Sequence, residues 1–157
     1  RDSSLHRIKL ASNKRVVCAS PAYLSIQGEP ETPEALKHHT CIALRENDED
    51  VTLWRFSRED VETPVRIHPR MSSNDGNVVK KWALAGCGII MRSEWDVTPQ
   101  INAGTLVRIL ADYQLPDASI VALSAENAGN RPPRAENFIQ LLKTSLALRP
   151  WRRLSAV

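Results

Sequence analysis

Four polar residues in a row, Ser72, Ser73, Asn74 and Asp75, precede Gly76 and an apolar helical pattern. Two hydroxyls, an amide and a carboxylate at a helix start are suited to a small anion. The first backbone N–H groups of a helix have no intrahelical acceptor, and the helix dipole is positive there. Asp75 brings its own negative charge to that turn, which fits a capping role instead. The chain then runs through Ala85-Gly86-Cys87-Gly88 into the apolar Ile89-Ile90-Met91. A small-molecule pocket and an ordinary capped helix both account for this stretch.

Elsewhere the residues with chemical potential do not form a set. His38 and His39 are adjacent on a predicted helix and so point to different faces. Gly86-Cys87-Gly88 leaves a helix and enters a strand, the reverse of the order a phosphate-binding glycine loop needs. Ser20 follows an apolar run without the glycines of a nucleophile elbow, and His6 and His68 lack recognisable triad partners. Glu46, Asp48, Glu49 and Asp50 lack the spacing and the central glycine of a calcium loop and read as a solvated turn. The three cysteines, Cys18, Cys41 and Cys87, are an odd number with no C-x-x-C, which disfavours a disulfide framework or a zinc site. Cys18 and Cys41 lie in apolar runs and read as reduced, buried thiols of a cytoplasmic protein. Cys87, between glycines, is the thiol to test for reactivity. These residues call for no metal and no cofactor, and they define no catalytic centre.

The totals agree with an ordinary globular chain. Its 157 residues are 42% hydrophobic and 25% charged, and suit one domain or two small lobes. No apolar run approaches the ~18 residues of a membrane helix, and no secretory signal opens the chain. The first residue is Arg1 rather than Met, so a piece of a longer protein is expected. A net charge of +3, scattered along the chain, is too mild for a nucleic-acid footprint. The densest basic stretch, Arg149-Pro150-Trp151-Arg152-Arg153, reads as a solvated tail.

Elements that could position a pocket follow from the patterning. Strands are expected at Val16–Ala19, Cys41–Leu44, Gly88–Met91, Leu106–Leu110 and Ser119–Leu123. Leu53–Phe56 and Val65–His68 suit a hairpin with one buried face. Helices are expected from Ala22 to a glycine stop at Gly28 and from Pro33 behind a Thr32 cap. Three more are expected through Val78, Val79, Trp82 and Ala83, from Thr98-Pro99 to Gly104, and from Pro133 to Leu148. Alternating strands and helices with one hairpin give an α/β fold on a mixed sheet.

Read in order, several short segments resemble one family. They are Arg15-Val16-Val17-Cys18-Ala19-Ser20-Pro21-Ala22-Tyr23-Leu24, Gly28-Glu29-Pro30, Thr32-Pro33-Glu34-Ala35-Leu36 and His39-Thr40-Cys41-Ile42. Trp54-Arg55-Phe56, Ser73-Asn74-Asp75-Gly76, Leu84-Ala85-Gly86-Cys87-Gly88-Ile89 and Gly104-Thr105-Leu106-Val107-Arg108-Ile109-Leu110 follow. Arg131 to Leu146 completes the series. Each motif is weak alone, but together they resemble the effector-binding domain of LysR-type transcriptional regulators over nearly the whole chain.

The resemblance implies a bilobal fold of the type-two periplasmic-binding-protein kind, with lobe two complete and lobe one partial. It divides the chain into 1–19 (partial lobe one and first crossover), 20–112 (lobe two), 113–148 (return crossover, lobe-one strand and closing helix) and 149–157 (basic tail). The crossovers are expected near Val16 to Ser20 and near Leu110 to Ile120. A small effector, such as a carboxylate, is expected in the interlobe cleft. Ser72, Ser73 and Asn74 are its expected contacts from lobe two, and Ser20 and Pro21 from the crossover. In such a regulator the domain pairs into dimers or tetramers. It reaches promoter DNA through a winged helix-turn-helix outside this chain, and RNA polymerase indirectly, in the cytoplasm and without a membrane. Effector binding acts by favouring one lobe arrangement over another. The alternative on the same fold is a periplasmic-type solute-binding protein of a transporter. An enzyme on this fold would need convergent titratable groups, and none is visible.

Overall fold

The computed structural model describes residues 5–45, 50–125, 127, 129–148 and 151. Nine strands are described: β1 His6–Ala11, β2 Arg15–Ala19, β3 Cys41–Leu44, β4 Leu53–Arg58, β5 Val61–Arg66, β6 Met71–Ser73, β7 Ile89–Ser93, β8 Val107–Ile109 and β9 Ile120–Ser124. The helices are α1 Pro21–Gln27, α2 Gly76–Leu84, α3 Glu94–Asn102 and α4 Pro133–Ala147, with a 3-10 helix at Pro33–His38. The acidic residues Glu46, Asp48 and Glu49 lie outside the described residues, as does the basic tail apart from Trp151.

Strands β6-β3-β7-β2-β8 form a five-stranded sheet in that order. β3 runs parallel to β6 and β7, whereas β2 runs antiparallel to β7 and β8. Strict alternation along the central strands divides the core into two layers. Val17, Ala19 and Ile89 face one layer with Tyr23, Leu36, Trp54, Phe56 and Val65; this layer is covered by α1, the 3-10 helix and the β4-β5 hairpin. Val16, Cys18, Ile42 and Ile90 face the other layer with Val79, Ala83 and Val97 of α2 and α3. Both sheet faces are therefore buried, which is why these strands read as continuous apolar runs.

The hairpin forms, but its second strand is Val61–Arg66 rather than Val65–His68, closed by Glu59 and Asp60 with φ of 50° and 63°. Positive φ at both turn positions matches the twist of the flanking strands. α2 ends in a glycine stop: Gly86 has φ 80°, its N–H donates to Ala83 O at 3.0 Å, and the Cys87 N–H donates to Trp82 O at 3.0 Å. Gly88 is required by a close approach. A Cβ there would stand 2.5 Å from the Thr40 carbonyl oxygen.

Three further expectations are corrected. α3 starts at Glu94 rather than Thr98, and Pro99 lies inside it. Ser93, Glu94 and Asp96 make an earlier and better start, with two acidic residues in the first turn. β1, unread in the sequence, pairs antiparallel with β9, placing His6 opposite Ser124 and Ala11 opposite Ile120. β2, expected as the first crossover, lies wholly inside the five-stranded sheet. The outgoing connection between the two sheets is Ser12–Lys14, upstream of the expected Val16 to Ser20. The Asn13 carbonyl accepts the Ala118 N–H at 3.0 Å, and the Asn13 side chain donates to Ala118 O at 3.0 Å. α4 packs on β1 beside this small sheet.

Candidate functional site

Strand directions define two edges of the large sheet. Arg15, Leu44, Ser73 and Ser93 share one edge, because Arg15 registers with Ser93 and Leu44 with Ser73. Ser20 sits at the opposite edge. Its hydroxyl is 3.8 Å from the position a Gly86 Cβ would take, in the turn that precedes β7.

The expected site residues thus separate into two groups. Ser20 is buried, and its hydroxyl caps α1 by accepting the Tyr23 N–H at 3.3 Å. Pro21, the first residue of α1, is exposed at the same end. Neither is brought to the edge that holds Ser72, Ser73 and Asn74. The physical reason is the antiparallel course of β2 beside β7, which carries the end of β2 away from the ends of β3, β6 and β7. At the other group, Ser72 and Ser73 are half-buried on β6 and Asn74 is exposed. The Ser73 hydroxyl accepts the Asp75 N–H at 3.1 Å. Asp75 is the α2 cap, accepting the Asn77 N–H at 2.7 Å. The first turn of α2 thus already holds a carboxylate of its own.

Two adjoining cavities open at the Arg15 edge. One, of about 110 Å³, is lined by residues that include Arg15, Leu44, Trp54, Met91, Arg92 and Ser93. The other, of about 370 Å³, is lined by Arg15, Asp50, Leu53, Arg55, Met91 and Pro116. Arg15, Asp50, Leu53 and Met91 belong to both, so the two form one cleft. β2 and β7 supply one side, the β4 strand a second, and Pro116 of the return connection a third. Ser73 lies one strand beyond Leu44 on the same edge and does not line the cleft.

The charges around the cleft differ in what they hold. Asp50 accepts hydrogen bonds from the Thr52 hydroxyl and N–H and from the Arg66 guanidinium, the last at 2.8 Å. The Thr52 hydroxyl, then Arg66, hold its carboxyl down at about 2. Arg92 is fixed from behind: its Nε and Nη2 donate to Asp96 Oδ2 at 2.9 and 2.8 Å. Lys80 Nζ donates to Asp96 Oδ1 at 2.6 Å. The Asp96 side chain is 8% exposed. Burial alone would raise its pKa, but the bonds from Lys80 and Arg92 outweigh that and hold it below the ordinary value. The Arg92 guanidinium lies across Gly76, where a Cβ would overlap it. Among the described residues, the ion pairs and side-chain hydrogen bonds leave Arg15 and Arg55 without a carboxylate.

Sequence reasoning missed Arg15, Arg55 and Met91. Arginines flanking short apolar runs are common on any surface, and only the strand order shows that these two meet at one cleft. Among the described residues no group of three or more His, Cys, Asp or Glu could hold a metal ion. Likewise, no helix of the described residues is long and apolar enough to cross a membrane.

A mixed five-stranded sheet covered on both faces, tied by two connections to a second small sheet with a cleft beside the crossing, is the architecture of a bilobal ligand-binding domain. A family model described as the LysR substrate binding domain matches residues 1–147, and the chain belongs to that family. The transcriptional activator TtdR of Escherichia coli O6:K15:H31 is 39% identical over 104 residues, covering 66% of this chain and 34% of TtdR. The transcriptional regulator PtxR of Pseudomonas aeruginosa is 31% identical over 152 residues, covering 97% of this chain and 48% of PtxR. The chain therefore spans less than half the length of these relatives. The solved regulatory domain of CrgA, a LysR-type transcriptional regulator from Neisseria meningitidis, superposes with a TM-score of 0.77 at 27% identity, covering 92% of this chain and 70% of that one. The transporter alternative finds no support among these relatives, which are transcriptional regulators.

Proposed function

We propose that this chain is the effector-sensing part of a LysR-type transcriptional regulator, taking a small molecule into the cleft bounded by Arg15, Leu53, Met91 and Pro116. The observation that carries the reading is the position of that cleft. It touches the five-stranded sheet, the hairpin and the return connection that runs to the second sheet. A ligand there contacts both a rigid sheet and the segment that leaves it, so its affinity differs between arrangements of the two. Differential affinity is what a sensor needs, since a ligand equally at home in both shifts nothing.

Ser72, Ser73 and Asn74 form the rim of this cleft in the reading, one strand beyond its lining. Ser20 and Pro21 serve α1 at the far edge. In this reading the partial lobe one comprises residues up to Ala11 with β9 and α4, and lobe two runs from Arg15 to Asp112, a start five residues before the expected residue 20. The whole protein would be a cytoplasmic homodimer or homotetramer and not an enzyme. It would bind promoter DNA through a winged helix-turn-helix and act on RNA polymerase indirectly.

Footprinting of the full-length protein on DNA beside its own gene tests the reading without knowledge of the effector. Protection of a discrete site is expected. A full-length protein that protects no DNA there, at any concentration short of aggregation, would sink it.

A further inference from the structure

Two cationic residues from two different elements line one cleft, and no carboxylate among the described residues pairs with either. Arg15 comes from the first residue of β2, and Arg55 from the third residue of β4. Both line the larger cavity. Its single described carboxylate, Asp50, is already bonded to Arg66 and Thr52. Arg92, at the inner end of the cleft, is held by Asp96. The remaining lining, Leu53, Met91 and Pro116, is apolar.

From this we infer that the effector is a small organic dianion, a dicarboxylate bridging Arg15 and Arg55, with its carbon skeleton against Leu53, Met91 and Pro116. This rests on the sensor reading above and specifies its ligand. Two arginines on the wall of one concavity give it a positive field that negative charge relieves. The guanidinium fork matches a carboxylate with paired N–H donors, in a geometry that a neutral amide or a lone ammonium cannot satisfy. Apolar side chains beside a few placed charges are the usual composition of a small-ligand site, and here Leu53, Met91 and Pro116 make up half of the lining, a surface for a short chain of carbons. Bridging also gives the sensor its lever. Arg15 belongs to the sheet and Arg55 to the hairpin packed on it, so a dianion is held by that rigid body while its carbons press on Pro116 of the return connection. A monoanion satisfies one arginine and leaves the other repelled.

The test is thermal unfolding of the full-length protein in a chloride buffer at fixed ionic strength. The probes are the linear dicarboxylates from malonate to adipate, the matching monocarboxylates, the matching diamides and inorganic phosphate. At least one dicarboxylate should raise Tm in a saturable way, with its diamide inert and its monocarboxylate weaker by about tenfold or more in apparent Kd. Arg15→Gln and Arg55→Gln should each weaken that response by about tenfold or more. Arg108→Gln, outside the cleft, should leave it intact. Retained far-ultraviolet circular dichroism would show that the two cleft variants still fold. Saturable stabilisation by phosphate as strong as by any dicarboxylate would overturn the carbon-skeleton assignment. No stabilisation by any dicarboxylate, or a response that survives both arginine variants, would overturn the proposal, while the DNA footprint would separately decide whether the protein is a regulator.

Discussion

The Asn13 side-chain amide donates to the Ala118 carbonyl at 3.0 Å while the Asn13 carbonyl accepts the Ala118 N–H at 3.0 Å. Asn13 also accepts the Trp95 N–H on its side-chain oxygen at 3.3 Å, and only 1% of the residue is exposed. One side chain therefore ties the outgoing connection, the return connection and the first turn of α3.

Asn13→Ala should cost about 1–2 kcal/mol, since the Ala118 carbonyl and the Trp95 backbone N–H each lose a partner at a part-buried position. Asn13→Asp should be no better, because a carboxylate cannot donate to Ala118. Urea midpoints measured with unchanged m-values would establish the loss; a variant within about 0.5 kcal/mol of the parent would show that the tie is dispensable.

Asp96→Ala leaves Arg92 and Lys80 facing each other with 10% and 16% of their side chains exposed. A loss of about 3–5 kcal/mol is expected, in the range for breaking a buried pair from one side. The pH dependence follows from the depressed pKa. The contribution of Asp96 is complete above the unfolded carboxylate value of about 3.9 and is lost as pH falls through the lower folded value. The gap between parent and Asp96→Asn should therefore be widest near neutrality and narrow in acid. A gap that stays constant down the acid limb would contradict the assignment.

Two glycines separate steric need from backbone need. Gly28→Ala meets nothing within 4 Å and should cost only the backbone strain of φ 77° with ψ 168°, a region nearly confined to glycine, about 1–3 kcal/mol. Gly88→Ala drives a Cβ into the Thr40 carbonyl oxygen at 2.5 Å, which is backbone and cannot rotate away. The clash adds to the strain of φ 158°, so it should cost more than Gly28→Ala, about 3 kcal/mol or more. Chemical denaturation of the pair should rank them in this order; the reverse order would mean that Thr40 yields easily.

Burial pushes the Cys18 and Cys41 thiols up to about 12, whereas Cys87 is half-buried between its glycines. A thiol reagent at pH 8 should label Cys87 first, and Cys18 and Cys41 only with the rate of unfolding. Mass spectrometry of the peptides after timed quenching reads the order directly. Early labelling of Cys18 would imply that β2 opens in the native state.

Much of the large sheet was legible because both of its faces are covered. Val16 to Ala19, Cys41 to Leu44 and Ile89 to Met91 are apolar without interruption, and no solvated face dilutes the signal. The presence of the β4-β5 hairpin, though not the bounds of β5, and the glycine stop after α2 were equally plain. β1 was not, because His6 to Lys9 are mostly outside the core and the partner strand β9 lies far along the chain. The helix start at Thr98-Pro99 misled because a proline also fits inside the second turn when a better acidic start precedes it. The cleft was the least legible part. Ser20 and Ser73 each follow a strand, but strand direction decides which edge a residue reaches. That direction comes from pairing between β2 and β7, separated by nearly half the chain.

The two connections that meet at Asn13 and Ala118 continue on either side as paired strands, β1 with β9 and β2 with β8. The chain is thus a ladder that runs from one sheet into the other, with its central rung made by the Asn13 backbone carbonyl and side-chain amide together. Such a ribbon flexes readily out of its own plane but strongly resists sliding of one rail along the other, because sliding breaks every rung at once. Motion between the two sheets is therefore channelled into essentially one soft coordinate. A ligand seated beside the rung, against Pro116, acts where the least displacement produces the largest swing at the far end.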